Sequence, residues 1–428
     1  LRYIDVKQAL RCLLAAAIFV VAAGCDDETS SEPSITVPPA PTYTAGHLAV
    51  AQRGVSIDDE DIKIFGSGID AAKIADDFDL LVLNRPYVDN PTGCPQPGAA
   101  ARVQPLAKAE AFLAEGAAVG VDFARIAVNV DLLTPGRRAL LHVCPPASPR
   151  FDDPVHRAAI LEAFRDLAGL DGVSAITVGL EMNAYYHLTV DDVSMRDDYS
   201  NYVTLYREVF HAIKAVNADI QVGPGLSWAT FMRLTVPEIA EAYSVVEVGA
   251  SGTLQDPFLF EAVELAARRT VWPLLSEGRG DEEVATADYL GLTMIPRQNE
   301  PPFNGNPLPE DESQVLQHYR YVDVVAKGLP VVLPQIDWET QSGANANNKA
   351  TYLTVLKKAL SHVDVQWAAW RRLADVPELD PGVGSSPCSR FTQSRDAALN
   401  YTVDYCYAGM INDLGQEREV YRVLTANP

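Results

Sequence analysis

Along this chain, short and almost wholly apolar runs alternate with longer stretches whose apolar residues recur every three or four positions. The short runs lie at residues 62–65, 79–84, 123–130, 175–180, 220–223, 287–294, 331–336 and 365–370, and they predict strands buried on both faces. The longer stretches, at 106–118, 155–168, 199–216, 236–248, 257–269, 313–326, 348–361 and 418–424, predict helices with one apolar stripe. The clearest is 199–216, where Val203, Tyr206, Val209, Phe210 and Ile213 share a face. In 155–168, Ile160, Phe164 and Leu167 do the same. Gly223-Pro224-Gly225 is expected to break the strand before it, and Gly328 to stop the helix at 313–326.

Strand followed by helix, repeated close to eight times without a second linker or a solenoid-length repeat, predicts an α/β fold. The expected architecture is a single-domain (β/α)8 barrel of the TIM type over residues 46–428. In such a barrel, strand ends from distant parts of the chain meet at one face and carry the chemistry. Two apolar runs end abruptly in polar groups. Val178-Gly179-Leu180-Glu181-Met182-Asn183 brings Glu181 to that face, with Asn183, Tyr185, Tyr186 and His187 on the segment that follows. Leu329 to Trp338 brings Gln335 to a place where a second carboxylate is expected.

The opening residues read as a targeting segment. Arg2, Lys7 and Arg11 form a basic stretch ahead of eleven apolar residues, Leu13 to Ala23, too few to span a bilayer comfortably. Ala22-Ala23-Gly24-Cys25 resembles a bacterial lipobox, which implies a signal over residues 1–24 and a lipidated Cys25. An ordinary secretory signal with a chance cysteine is the alternative. Residues 25–45 begin acidic, continue rich in Ser and Pro, and read as a flexible tether.

The formal charge is −23. Loss of residues 1–24 removes three positive charges and one negative, giving −25. Such a chain repels phosphate backbones, which argues against nucleic acid as a partner and leaves neutral glycans unaffected. Beyond Cys12 and Cys25 there remain Cys94, Cys144, Cys388 and Cys406. Nearness in sequence pairs Cys94 with Cys144 and Cys388 with Cys406 as disulfides of an exported protein; free buried thiols are the alternative. No motif for a metal or an organic cofactor is present, and none is expected.

These strand ends together resemble the clan A glycoside hydrolase barrels, with a layout similar to the endo-galactanase-like branch, over roughly residues 50–425. The resemblance implies that Glu181, ending the fourth strand, is the acid/base, with Leu180 where the clan has Asn. It implies that the nucleophile belongs at Gln335, ending the seventh strand in Pro330-Val331-Val332-Leu333-Pro334-Gln335-Ile336-Asp337-Trp338. Ile295 stands where the sixth strand commonly has an aromatic residue, and Trp367 and Trp370 are candidates for the Trp of the eighth. An amide is a poor nucleophile, so a displaced carboxylate, Asp337 or Glu339, is the catalytic substitute; otherwise both cap or solvate a loop. A wider carboxylate spacing would suit an inverting mechanism.

Trp228, Trp338, Trp367 and Trp370 are either sugar-stacking platforms or core residues. Arg125, alone in an apolar run, is either an interior ion-pair partner or a substrate contact, and Glu277 is expected to face solvent. The chain is thus expected to be a lipid-anchored protein of the bacterial cell envelope, periplasmic or on the cell surface, with a glycan as partner. Three functions fit: a glycosidase, a barrel that binds carbohydrate without cleaving it, and a scaffold or adhesion lipoprotein.

Overall fold

A computed structural model of the 428-residue chain describes residues 38–39, 41–43, 50–57, 71–86, 110, 114, 117–118, 125–133, 140, 150–188, 193–232, 257–278, 282–296, 312–338, 346–374, 394–396, 401–402, 409–412 and 416–426. The chain divides into two compact units, Leu1–Pro38 and Pro39–Pro428, and all but Pro38 of the first lies outside the described residues. All six cysteines, the strand expected at 62–65 and the helix expected at 236–248 also fall outside them.

Eight parallel strands close into a barrel: β1 (Val50–Ile57), β2 (Leu80–Pro86), β3 (Ile126–Asp131), β4 (Val173–Val178), β5 (Gln221–Ser227), β6 (Leu290–Thr293), β7 (Val331–Ile336) and β8 (Val365–Trp370). Each pairs with the next in sequence, and β8 closes on β1. Outside lie α1 (Ala71–Asp77), α2 (Pro154–Ala168), α3 (Met182–Leu188), α4 (Val193–Val216), α5 (Pro257–Thr270), α6 (Glu312–Tyr319), α7 (Val322–Ala326), α8 (Ala346–Ala359) and α9 (Glu419–Thr425). This is the (β/α)8 barrel that the alternation of patterns predicts.

Local chemistry explains the elements. Asp153 caps α2 by accepting from the backbone N–H groups of Val155 and His156, with Pro154 on the first turn. The expected stripe of α4 is buried from Val203 to Ile213. Its tyrosines reach into neighbouring backbone: Tyr199 donates to the Thr270 carbonyl at 2.6 Å and Tyr202 to the Val178 carbonyl at 2.8 Å. The helix expected at 313–326 is two helices, α6 and α7, separated at Arg320 and Tyr321. It does stop where expected, with Lys327 at φ 56° and Gly328 at φ 80°.

The first and fifth strands differ from expectation. β1 is Val50–Ile57, whose Gln52 and Arg53 interrupt the apolar run. Arg53 is polar because it sits at the lower rim, where it binds Asp79 and donates to the Thr425 carbonyl at 3.0 Å. β5 runs straight through Gly223-Pro224-Gly225. Those glycines serve close approach rather than a break. A Cβ on Gly223 would lie 2.4 Å from the Tyr289 ring and one on Gly225 2.2 Å from the Gly179 carbonyl oxygen. Gly225→Ala is therefore expected to push β4 and β5 apart and to cost about 2 kcal/mol or more by overpacking. Urea unfolding of the variant checks this, and an unchanged midpoint counts against it.

Inside the barrel, Leu80, Val82, Ala127, Ala175, Tyr289, Val332, Trp367 and Ala369 form one cluster. Its members come from β2, β3, β4, β7 and β8 and from the residue ahead of β6, so it fixes which alternate positions point inward. Asn84 and Asn129 share that phase. Asn129 donates to Asn84 at 2.8 Å and to the Pro334 carbonyl at 3.4 Å, and Asn84 donates to Ser56.

Candidate active site

Glu181 follows β4 by three residues, at the C-terminal mouth. Gly179 takes φ 79° and Glu181 itself φ 53°, a left-handed backbone that side chains rarely adopt. Surrounding contacts hold this bend. Tyr202 grips the Val178 carbonyl from α4. Asn183 accepts from the Ser227 N–H at 2.8 Å and donates to the Ser227 carbonyl at 2.9 Å, clamping α3 to the end of β5. Asn183 is thus a positioning residue whose amide is engaged at both ends. Glu181 is only 4% exposed. Its Oε1 lies 3.3 Å from the Thr293 hydroxyl, which shares its proton with the Leu226 carbonyl at 3.4 Å.

β7 carries an extra residue before the mouth. Leu290 pairs with Val331 and Gly291 with Val332, but Met294 pairs with Ile336. On the other side Ala368 pairs with Leu333 and Trp370 with Ile336. One more residue of β7 than of either neighbour therefore lies between Leu333 and Ile336, a β-bulge at Pro334 and Gln335. Without it, Gln335 would share the outward phase of Leu333. With it, Ile336 joins Met294 and Trp370 on the outer face, and Gln335 and Asp337 join Thr293 on the inner one. Trp338 confirms the outer phase by packing on Tyr352 of α8 at 5.0 Å between ring centroids. The Met294 N–H donates to the Gln335 carbonyl at 2.8 Å. The Glu181 carboxyl and the Gln335 backbone thus meet adjacent residues, Thr293 at the end of β6 and Met294 just beyond it. Gln335 is 6% exposed, and its side-chain amide has no hydrogen-bond partner among the described residues.

Asp337 is 1% exposed. One oxygen accepts from the Trp338 N–H at 2.8 Å and the other lies 3.8 Å from Arg371. Burial holds its proton on to a higher pH than an ordinary aspartate, against the opposing pull of Lys349, Arg371 and Arg372. These ties make Asp337 part of a buried ion pair rather than a freely placed carboxylate. Glu339 lies outside the described residues.

Of the other candidates, one stands at the opposite end of the barrel and the aromatic ones are buried. Arg125 precedes the first residue of β3, is exposed and stands at the opposite end of the barrel. It is neither an interior ion-pair partner nor near Glu181, because the strand begins one residue after it. Tyr185 donates to Asp198 at 2.9 Å beneath Phe151. Trp228 stacks on Phe231 and donates to the His318 carbonyl at 3.1 Å. Trp367 meets Tyr289 edge-on in the barrel interior, and Trp370 is sealed on the outer face. All four candidate tryptophans are buried, so none presents an open indole face. Glu277 is exposed beside His211.

Three residues of the mouth escaped the sequence reading. Thr293 lay within a predicted strand, two residues before Ile295, where alternation could have found it. Arg371 follows the last strand in a basic pair. Asp131 ends β3 one residue beyond the predicted run, a polar group at a strand terminus like Glu181. Among the described residues no cluster of three or more His, Cys, Asp or Glu is placed to hold a metal ion.

No protein-family model and no curated protein matches the chain. Solved structures do. An exo-beta-1,4-mannosidase from Opitutaceae bacterium strain TAV5 aligns with a TM-score of 0.50 and 14% identity over 89% of this chain, which spans 60% of that protein's length. A GH5_18 protein from Bifidobacterium longum subsp. infantis aligns with a TM-score of 0.51 and 10% identity, over 88% of this chain and 77% of the other. At these identities the likeness shows a shared fold, the (β/α)8 barrel.

Proposed function

We propose that this protein engages a saccharide at the C-terminal mouth of its barrel, with Glu181 as the proton donor for glycosidic cleavage. The observation that carries the reading is Glu181 itself: a buried carboxyl at a strand end, held in a left-handed backbone and met by the Thr293 hydroxyl. Strained backbone of this kind persists where surrounding structure fixes it and gathers at functional sites. The fold supports a glycan as partner by analogy only. The endo-galactanase-like layout and the mannosidase neighbour make β-galactosides and β-mannosides the first substrates to examine.

A glycan array and a panel of 4-nitrophenyl glycosides, applied to residues 46–428, test the reading. Retention of at least one saccharide class, lost on Gln335→Ala, and cleavage lost on Glu181→Gln are the expected results. No binding and no cleavage across both panels would remove the glycan from consideration. Gln335 favours a second reading, a barrel that binds without cleaving, because a neutral amide stands at the inward position of β7 and Asp337 is tied to Arg371. Binding without release of nitrophenol would select it.

We further propose that Cys25 carries a lipid that anchors the protein in the cell envelope. Support comes from the basic stretch, the eleven apolar residues and Gly24-Cys25. Cys25→Ala is expected to move the protein from the membrane fraction to the soluble one; a variant that stays with the membrane would refute the anchor.

A further inference from the structure

We propose that Asp131 is the second carboxylate of the mouth and acts opposite Glu181 as the base of an inverting hydrolysis. This rests on the reading of the mouth as a saccharide site. Ala127 belongs to the interior cluster, and Asn129 is fully buried and bonded to Asn84 and to the β7 bulge. Asp131 is two residues further along β3 in the same inward phase. The pairings Pro86 with Asp131 and Val130 with Val178 set it level with Gly179, on the strand next to that of Glu181. Asn129 is sealed, whereas Asp131 is partly exposed, so it stands where the interior meets solvent. Its Oδ1 accepts from the Leu133 N–H at 3.2 Å, which fixes its rotamer.

The Glu181 carboxyl is directed away from β3. Glu181 rises from β4 but meets Thr293 on β6, on the far side of β5, while Asp131 stands on β3. A retaining enzyme needs a carboxyl pair about 5–5.5 Å apart, and the place for its nucleophile is taken by the amide of Gln335. An inverting pair stands wider, at about 6.5–9.5 Å, and admits a water between base and sugar. In that step the water oxygen bonds to the anomeric carbon as the bond from that carbon to the leaving oxygen breaks. Asp131 takes the proton from the water, and Glu181 gives its proton to the leaving oxygen. The products are an alcohol and a hemiacetal of inverted configuration. Gln335 is left as a neutral hydrogen-bonding group.

The test follows the anomer formed first, by proton NMR, when wild-type protein cleaves a 4-nitrophenyl β-galactoside, a β-mannoside or an oligosaccharide retained on the array. Inversion is expected. Asp131→Asn should lower kcat by about 1000-fold, the scale of a lost general base. Its KM and glycan affinity should stay within about threefold, since the lost contact acts in the transition state. With Asp131→Ala, sodium azide should restore turnover and yield a glycosyl azide of inverted configuration, because azide needs no base. A retained anomer, an Asp131→Asn variant within about tenfold of wild type, or a wild type that binds saccharide without cleaving it would each overturn the assignment while leaving the glycan reading in place. A wild type that neither binds nor cleaves would overturn both.

Discussion

Glu181→Gln is expected to lower kcat on an unactivated saccharide by about 1000-fold, the range for loss of a positioned general acid. The substitution keeps size and shape, so Thr293 still has an oxygen to meet and the left-handed backbone at φ 53° is unaltered. Binding should persist. The informative readout is the dependence on leaving group. A dinitrophenolate departs without a proton, so dinitrophenyl glycosides should lose far less rate than alkyl glycosides. A variant that loses rate equally on both would show that Glu181 positions the substrate and does not protonate it. A variant as active as wild type would remove Glu181 from the chemistry.

Arg371→Met is expected to give the largest loss of stability, about 3–5 kcal/mol at neutral pH, because it leaves the Asp337 carboxylate buried beside one fewer cation. The pair lies 3.8 Å apart with both side chains almost sealed from solvent. The pH dependence has a definite sign. Burial raises the Asp337 pKa above its ordinary 3.8. Between 3.8 and the raised value the folded chain holds more protons than the unfolded one, so this group's contribution to stability falls as pH rises through that window. Below the window Asp337 is neutral in both proteins and loses little when Arg371 goes. The gap between wild type and variant should therefore be small near pH 3.8 and widen upward. Urea unfolding of both proteins across that range measures it. A gap independent of pH would mean that Arg371 stabilises by packing and not through Asp337.

Both expectations depend on features with different visibility in sequence. The α4 stripe and the runs that end at Glu181 and Gln335 were plain because burial on a fixed face imposes a period, and a polar residue at a strand end breaks it. β1 was hidden by Gln52 and Arg53, polar residues that the lower rim tolerates. β5 was cut short because Gly-Pro-Gly reads as a turn; only the approach of Gly179 and Tyr289 reveals that glycine is needed there. The bulge could not be read at all. Pro334 interrupts nothing in the apolar run, and an extra residue in one strand exists only relative to its neighbours. The four tryptophans show the same limit. An indole that packs and one that binds sugar look alike until the surrounding surface is known.

The left-handed backbone at Glu181 bears on how this sequence would drift. An L-residue with a bulky side chain there costs roughly 1–2 kcal/mol relative to an ordinary conformation, a cost that glycine escapes and asparagine largely escapes. Random substitution filtered only by folding would favour those two residues at position 181, since most stabilising changes are reached easily and cost function rather than fold. A lineage that lost its saccharide would shed the glutamate early and keep the barrel. Position 181 is thus a gauge of selection: across descendants of this chain, glutamate should mark those still under pressure for chemistry, and glycine or asparagine those retained as scaffolds.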